Sequence, residues 1–144
     1  MTAVRRLDHV AIAVRDTEAA LRTYKGQLAL EVVHREEVAE PHVLLTYLQV
    51  GNAYVQLVEP LDPEGEIAHW IEAHGEGLHH ICFGVDDLDG AIAAGGSDVA
   101  VGTGRGRRTA FLPAPPDHGV GIECIEFDYE EDVQRSLGWL PSGG

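Results

Sequence analysis

Two stretches, Asp8-His9-Val10-Ala11-Ile12-Ala13-Val14 and His79-His80-Ile81-Cys82-Phe83-Gly84-Val85, read as two copies of one strand. Histidine falls on histidine, apolar on apolar, small on small. The likeness runs on: Asp16-Thr17-Glu18-Ala19-Ala20-Leu21 lies over Asp87-Leu88-Asp89-Gly90-Ala91-Ile92, at an offset of 71 residues (80 − 9). A second pair follows later. Tyr54-Val55-Gln56-Leu57-Val58-Glu59 lies over Gly121-Ile122-Glu123-Cys124-Ile125-Glu126, at an offset of 67 residues (123 − 56). Two matches at nearly one offset imply a duplicated folding unit, and a repeat constrains the fold more than any single element does. The copies span 5–60 and 77–128, with 61–76 a linker and 129–144 a tail, in one domain of 144 residues.

Each copy orders its elements as strand, helix, then further strands. Residues 7–14 alternate and end at Asp16-Thr17, a helix start that predicts a helix over 17–27. Strands are expected over 30–37, 42–50 and 53–59, with Gly51-Asn52 a hairpin turn. In the linker, Ile67, Trp70 and Ile71 recur at helical spacing. The second copy predicts a strand over 79–85, a helix over 87–94, a glycine-rich loop over 95–106 with a short strand near 98–101, and strands over 107–113 and 120–127. Val133, Leu137, Trp139 and Leu140 suit a short helix in the tail. The expected class is α+β, in two tandem modules.

Side chains alternate faces along a strand. Val10, Ile12 and Val14 make a bulky face fit to pack under a helix; His9, Ala11 and Ala13 make the other. The second copy repeats this with Ile81, Phe83 and Val85 against His80, Cys82 and Gly84. Each histidine heads a row of small residues, which leaves space for a pocket. On the later strands Gln56 and Glu123 interrupt apolar runs, and both are costly to bury without a partner. A lone histidine in such a strand is commonly a hydrogen-bonded core residue, and a lone glutamate commonly faces water at an edge. Here all four are competent metal ligands at equivalent places in two repeats, and a divalent ion is one partner that satisfies them together.

Composition bounds the function. Hydrophobic residues make up 44% and charged residues 24% of the chain, ordinary for a globular protein. A formal net charge of −14 argues against general binding to nucleic acid or an anionic membrane, which need a positive footprint. Met1 to Leu7 lacks the apolar core of a signal peptide, so a cytoplasmic location is expected. Cys82 and Cys124 lie in apolar runs and read as small buried hydrophobes.

The segments Leu7 to Val14, Val55 to Pro60, Gly77-Leu78-His79-His80-Ile81 and Gly121-Ile122-Glu123 together resemble the vicinal oxygen chelate (glyoxalase/bleomycin resistance/dioxygenase) superfamily, and within it the methylmalonyl-CoA epimerases. The likeness covers about residues 5 to 128. It implies βαβββ modules forming an open, curved sheet around a metal cleft. By that resemblance His9, Gln56, His80 and Glu123 fall on the four metal ligands, and Glu123 doubles as catalytic base. The repeat independently favours His80 over His79, since His80 aligns with His9. Two imidazoles, an amide oxygen and a carboxylate leave a divalent ion (Co, Mn, Ni, Zn or Mg) a net charge near +1 and two open positions. Two adjacent substrate oxygens suit those positions, with the ion as Lewis acid. The implied reaction is epimerisation or isomerisation of a methylmalonyl-CoA-like thioester through an enolate.

The chain departs from the family in two places. Inversion needs an acid/base group on each face of the enolate, yet Leu45 or Thr46 stands where the epimerases carry a second glutamate, and Thr46 is left as a substrate contact. The family's Phe-Leu-His-Pro-Lys run has become Phe111-Leu112-Pro113-Ala114-Pro115. Arg105, Arg107 and Arg108 cluster beside glycines, and the planar fork of arginine suits the anionic end of an acyl-CoA. Other readings are a glyoxalase-like lyase or isomerase, which needs one dominant base, and a non-catalytic antibiotic-sequestering protein. An iron dioxygenase fits less well, because Gln56 takes a position that chemistry leaves open. Homodimers are common in the superfamily, and Trp139 and Leu140 are candidates for an interface.

Overall fold

The computed structural model describes residues 2–113, 119–128 and 130. The tail residues Val133, Leu137, Trp139 and Leu140, with Ala114 and Pro115, lie outside them. The elements run β1 (Val4–Ala13), α1 (Thr17–Leu21) continuing into a π-helical turn (Arg22–Gln27), β2 (Glu31–Val38), β3 (Val43–Val50), β4 (Ala53–Pro60), α2 (Glu66–His74), β5 (Gly77–Val85), α3 (Leu88–Gly95) with a 3₁₀ turn (Gly96–Asp98), β6 (Ala100–Gly104), β7 (Arg107–Leu112) and β8 (Gly121–Glu126). The strands hydrogen-bond in the order β2-β3-β4-β1-β5-β8-β7-β6 as one mixed sheet, the α+β class expected. No helix among the described residues is long and apolar enough to cross a membrane.

Contacts divide the chain into two compact units: Val10–Val50 with Tyr54–His79, and His80 onward with the N-terminal residues through His9 and Gly51–Ala53. In the first unit β2 and β3 pair antiparallel, with a register irregularity between Val32 and His34. Asp16 caps α1, its carboxylate accepting from the backbone N–H groups of Glu18 and Ala19. Beneath α1 and its π turn, Val14, Leu21, Leu48 and Leu57 form a core joined by Ile12 and Tyr24, so the bulky face of β1 packs as its alternation predicts. The small-residue face is not left open. Ala11 and Ala13 are fully buried against Tyr47, Tyr54 and Val58, with Ile67 and Ile71 of α2 over them.

The second unit pairs β5 with β8 in parallel, Cys82 opposite Glu123, and joins β8 to β7 and β7 to β6 antiparallel. Asp87 caps α3 by accepting from Gly90 N–H, as its counterpart Asp16 caps α1. Val85, Leu88, Ala91, Ala110 and Cys124 make this unit's core. Within the glycine-rich segment the short strand expected near 98–101 forms as β6, Ala100–Gly104, paired over its whole length with β7. Its partner strand supplies the hydrogen bonds that its own weak propensity does not. Arg105 and Gly106 turn the β6–β7 hairpin with φ of 51° and 76°, both positive as a type I′ turn requires.

Candidate metal centre

Three side chains of the second unit converge. His9 stands on β1, His80 near the start of β5, and Glu123 on β8, one row from His80 in the parallel register. All three are buried, at 2%, 5% and 7% exposure. The two Nε2 atoms lie 3.4 Å apart, and Glu123 Oε1 lies 3.2 Å from His9 Nε2 and 3.1 Å from His80 Nε2. Yet Oε1 is buried with no hydrogen bond of acceptable geometry. The three atoms thus form a compact triangle of possible ligands.

That triangle is the spacing of ligands on one face of an ion. Ligands about 2.1 Å from a divalent metal stand about 3.0 Å apart in an octahedron and about 3.4 Å in a tetrahedron. Two nitrogens and one carboxylate oxygen suit a first-row divalent metal. The residues present thus fit the group the sequence implies.

Asp8 sets the orientation of His9. Its carboxylate Oδ2 lies 2.7 Å from His9 Nδ1, and since a carboxylate only accepts, Nδ1 carries the proton and Nε2 faces the converging point. Arg105 grips the same carboxylate with both terminal nitrogens, each at 2.9 Å. Burial works to raise the Asp8 carboxyl, but His9 and Arg105 outweigh it and hold it well below the usual carboxylate range. For His9, burial works to lower the imidazole, and the Asp8 and Glu123 carboxylates raise it above its ordinary value. His80 has no such balance: burial and the neighbouring His9 lower it against the pull of Glu123. Burial alone would raise Glu123; contacts with His80 and His9 bring it down to about 2. The Cys82 thiol, fully buried beside Asp8 and His9, is pushed well above its usual value by burial and by the Glu123 and Asp8 charges, so it stays protonated.

The other expected site residues lie in different settings. Gln56 belongs to the first unit, on β4, 4% exposed; its Nε2 donates to Tyr47 Oη at 2.8 Å and its Oε1 is buried without a hydrogen-bond partner. Thr46 is fully buried and, by strand alternation, shares the Leu48 face beneath α1; Leu45 shares the face of Tyr47. The three arginines do not converge. Arg105 turns inward to Asp8, Arg107 is buried and donates to the Glu126 carbonyl at 3.2 Å, and exposed Arg108 pairs with Asp89 at 2.9 Å and Glu126 at 3.2 Å. His79 packs its ring edge-to-face on Trp70, 5.0 Å between centroids, consistent with the preference for His80 as the inward residue. Sequence reasoning passed over Asp8, although a charged residue directly before a candidate ligand histidine in an apolar strand was the available signal.

Known proteins resemble this chain over most of its length. The profile of the Glyoxalase/Bleomycin resistance protein/Dioxygenase superfamily matches residues 8–111. The uncharacterised protein YqjC of Bacillus subtilis is 32% identical over 131 residues, covering 85% of this chain and 93% of its own. The ethylmalonyl-CoA/methylmalonyl-CoA epimerase of Cereibacter sphaeroides is 31% identical over 130 residues, 83% of this chain and 96% of that protein. Among solved structures, a Streptomyces coelicolor methylmalonyl-CoA epimerase in complex with 2-nitronate-propionyl-CoA superposes with a TM-score of 0.76 at 31% identity, covering 86% of this chain and 98% of that one.

Proposed function

The chain belongs to the glyoxalase/bleomycin resistance protein/dioxygenase superfamily, and from that premise we propose that it is a metal-dependent isomerase acting on the α-proton of a methylmalonyl-CoA-like thioester. The convergence of His9, His80 and Glu123, with a buried Oε1 that no hydrogen bond satisfies, carries the reading. These three hold one divalent ion. Gln56 is proposed as the fourth ligand on the family's pattern. Its committed Nε2 and free Oε1 support this, since an amide oxygen left bare in the interior suits a cation.

When bound, such an ion supplies Lewis-acid stabilisation of the charge that builds on a carbonyl oxygen as the neighbouring carbon loses its proton. Glu123 is the base. With its carboxyl held near 2 by His80 and His9, it is ionised at neutral pH, the form that a base requires. Burial and the neighbouring carboxylates push the Cys82 thiol well above its ordinary value, so it is not an alternative base at neutral pH. Of the three arginines Arg108 has the exposed guanidinium, at 46% side-chain exposure, and is the proposed contact for an anionic CoA tail.

Leu45 favours one further reading. Leu45 is a buried core residue, and with neither Leu45 nor Thr46 a carboxylate at the place the family resemblance assigns to a second acid, the chain suits a reaction run by a single base, as in a glyoxalase-like isomerase or lyase. Ion-loaded protein, its metal content confirmed by elemental analysis, is expected to exchange the α-hydrogen of methylmalonyl-CoA in D₂O. Absence of exchange with every 2-substituted malonyl-CoA tried would sink the proposal. Exchange without inversion, joined to turnover of a hemithioacetal, would move the assignment to the single-base chemistry.

A further inference from the structure

Asp8 is fully buried, and each of its oxygens is engaged. Oδ1 accepts from Arg105 Nη2, while Oδ2 accepts from Arg105 Nη1 and from His9 Nδ1. A two-pronged guanidinium–carboxylate pair locks both groups in one plane, which a single hydrogen bond does not. Arg105 reaches this position from a turn where it adopts φ of 51°, a left-handed conformation that costs a non-glycine residue about 1 kcal/mol. Asparagine or glycine would fill that turn position without strain. The Arg105 side chain is nonetheless 8% exposed, drawn into the protein rather than out to solvent. In the other copy of the repeat the place of Asp8 is taken by His79, packed on Trp70. A carboxylate before the ligand histidine therefore belongs to one histidine of the pair.

We propose that Asp8 and Arg105 are positioning residues for the ion site: the hairpin turn delivers a fork that clamps Asp8, and Asp8 fixes the His9 ring with Nε2 aimed at the ion. This rests on the metal reading above. The physical reason is general. A ligand histidine bound at its other nitrogen by a carboxylate has its tautomer and ring rotation set before the metal arrives, and losing that partner lowers metal affinity about 10–100-fold.

Three variants test it: Asp8→Asn, Arg105→Asn and Arg105→Lys. Asparagine at position 105 suits the positive φ, so the hairpin is kept while the fork is lost. Lysine keeps the charge without the fork and provides the comparison if Asp8→Asn fails to fold. Co²⁺ affinity is read from the visible absorption of the bound ion, alongside thermal melting of the ion-free protein. The expected result is Co²⁺ binding weakened about 10–100-fold in the folded variants. Melting changes at unaltered Co²⁺ affinity would reduce the pair to a structural link and overturn the proposal. Wild-type protein that takes up none of Co²⁺, Mn²⁺ or Ni²⁺ would instead overturn the metal reading itself.

Discussion

The two units start from one strand pattern and use it for opposite ends. In the first, the row below the histidine position is Ala11 and Ala13, and Tyr47, Tyr54, Ile67 and Ile71 fill the space over it with apolar side chains. In the second, the corresponding region holds His80, Cys82, Glu123, Asp8 and Arg105. The helix side differs too. Leu21 and Tyr24 help cover β1 on one side, whereas α3 carries Ala91, Ala94 and Gly95 and leaves an apolar groove of about 630 Å³ lined by Phe83, Val85, Leu112 and Ile122 among others. One unit thus carries mostly apolar packing while the other carries a cluster of buried charge, although Asp8 and His9 come from the first copy of the repeat.

If that division holds, substitutions in the two units fail in different ways. Glu123→Gln is expected to give the largest effect: it removes the proposed base and charged ligand, and kcat for α-proton exchange should fall about 10²–10⁴-fold while the melting transition remains. A rate within a few-fold of wild type would break the comparison at its chemical end. Leu57→Ala lies at the other end, in a fully buried position of the first unit. It should cost about 2–5 kcal/mol of stability, seen in chemical denaturation, with ion affinity unchanged in the folded fraction.

The smallest effect sharpens the picture through pH. Glu123 has its carboxyl depressed from 4.5 to about 2 in the folded ion-free protein, so its stabilising contribution is present above pH 4.5 and is lost as pH falls from there toward 2. His9 is raised above 6.5, so its contribution is present below that pH and is lost as pH climbs through the folded value. The chelator-treated protein should therefore melt highest between the two limits. Loading Co²⁺ should move the optimum upward, because the ion replaces the protons on these ligands. Coincident pH profiles with and without ion would detach the titrating cluster from the site.

Much of this was legible in the chain because strand alternation and duplication are local signals. His9 and His80 stand at matched points of a period-2 pattern, and Glu123 breaks an apolar run; their meeting follows from pairing β5 with β8. Other features needed the assembled register. The segment 95–106 is rich in glycine, so its composition reads as loop around a short strand near 98–101, and the ladder to β7 sets that strand at Ala100–Gly104. Small residues at Ala11 and Ala13 announce space, but not that tyrosines from β3 and β4 and the linker helix occupy it. Arg105, grouped by sequence with Arg107 and Arg108 as a candidate anion site, instead reaches inward from the hairpin turn to pair with the buried Asp8.

That turn has a consequence for how the sheet finds its alignment. β6 lies at the sheet's edge and includes Gly102 and Gly104, residues with no side chain to mark one register from the next. A slip of one residue against β7 would carry the guanidinium of Arg105 away from Asp8 and strand a carboxylate in the interior. The same ion pair that steadies a histidine thus serves as a ruler for the least self-specifying strand, and only one alignment of the hairpin keeps the buried charge paired.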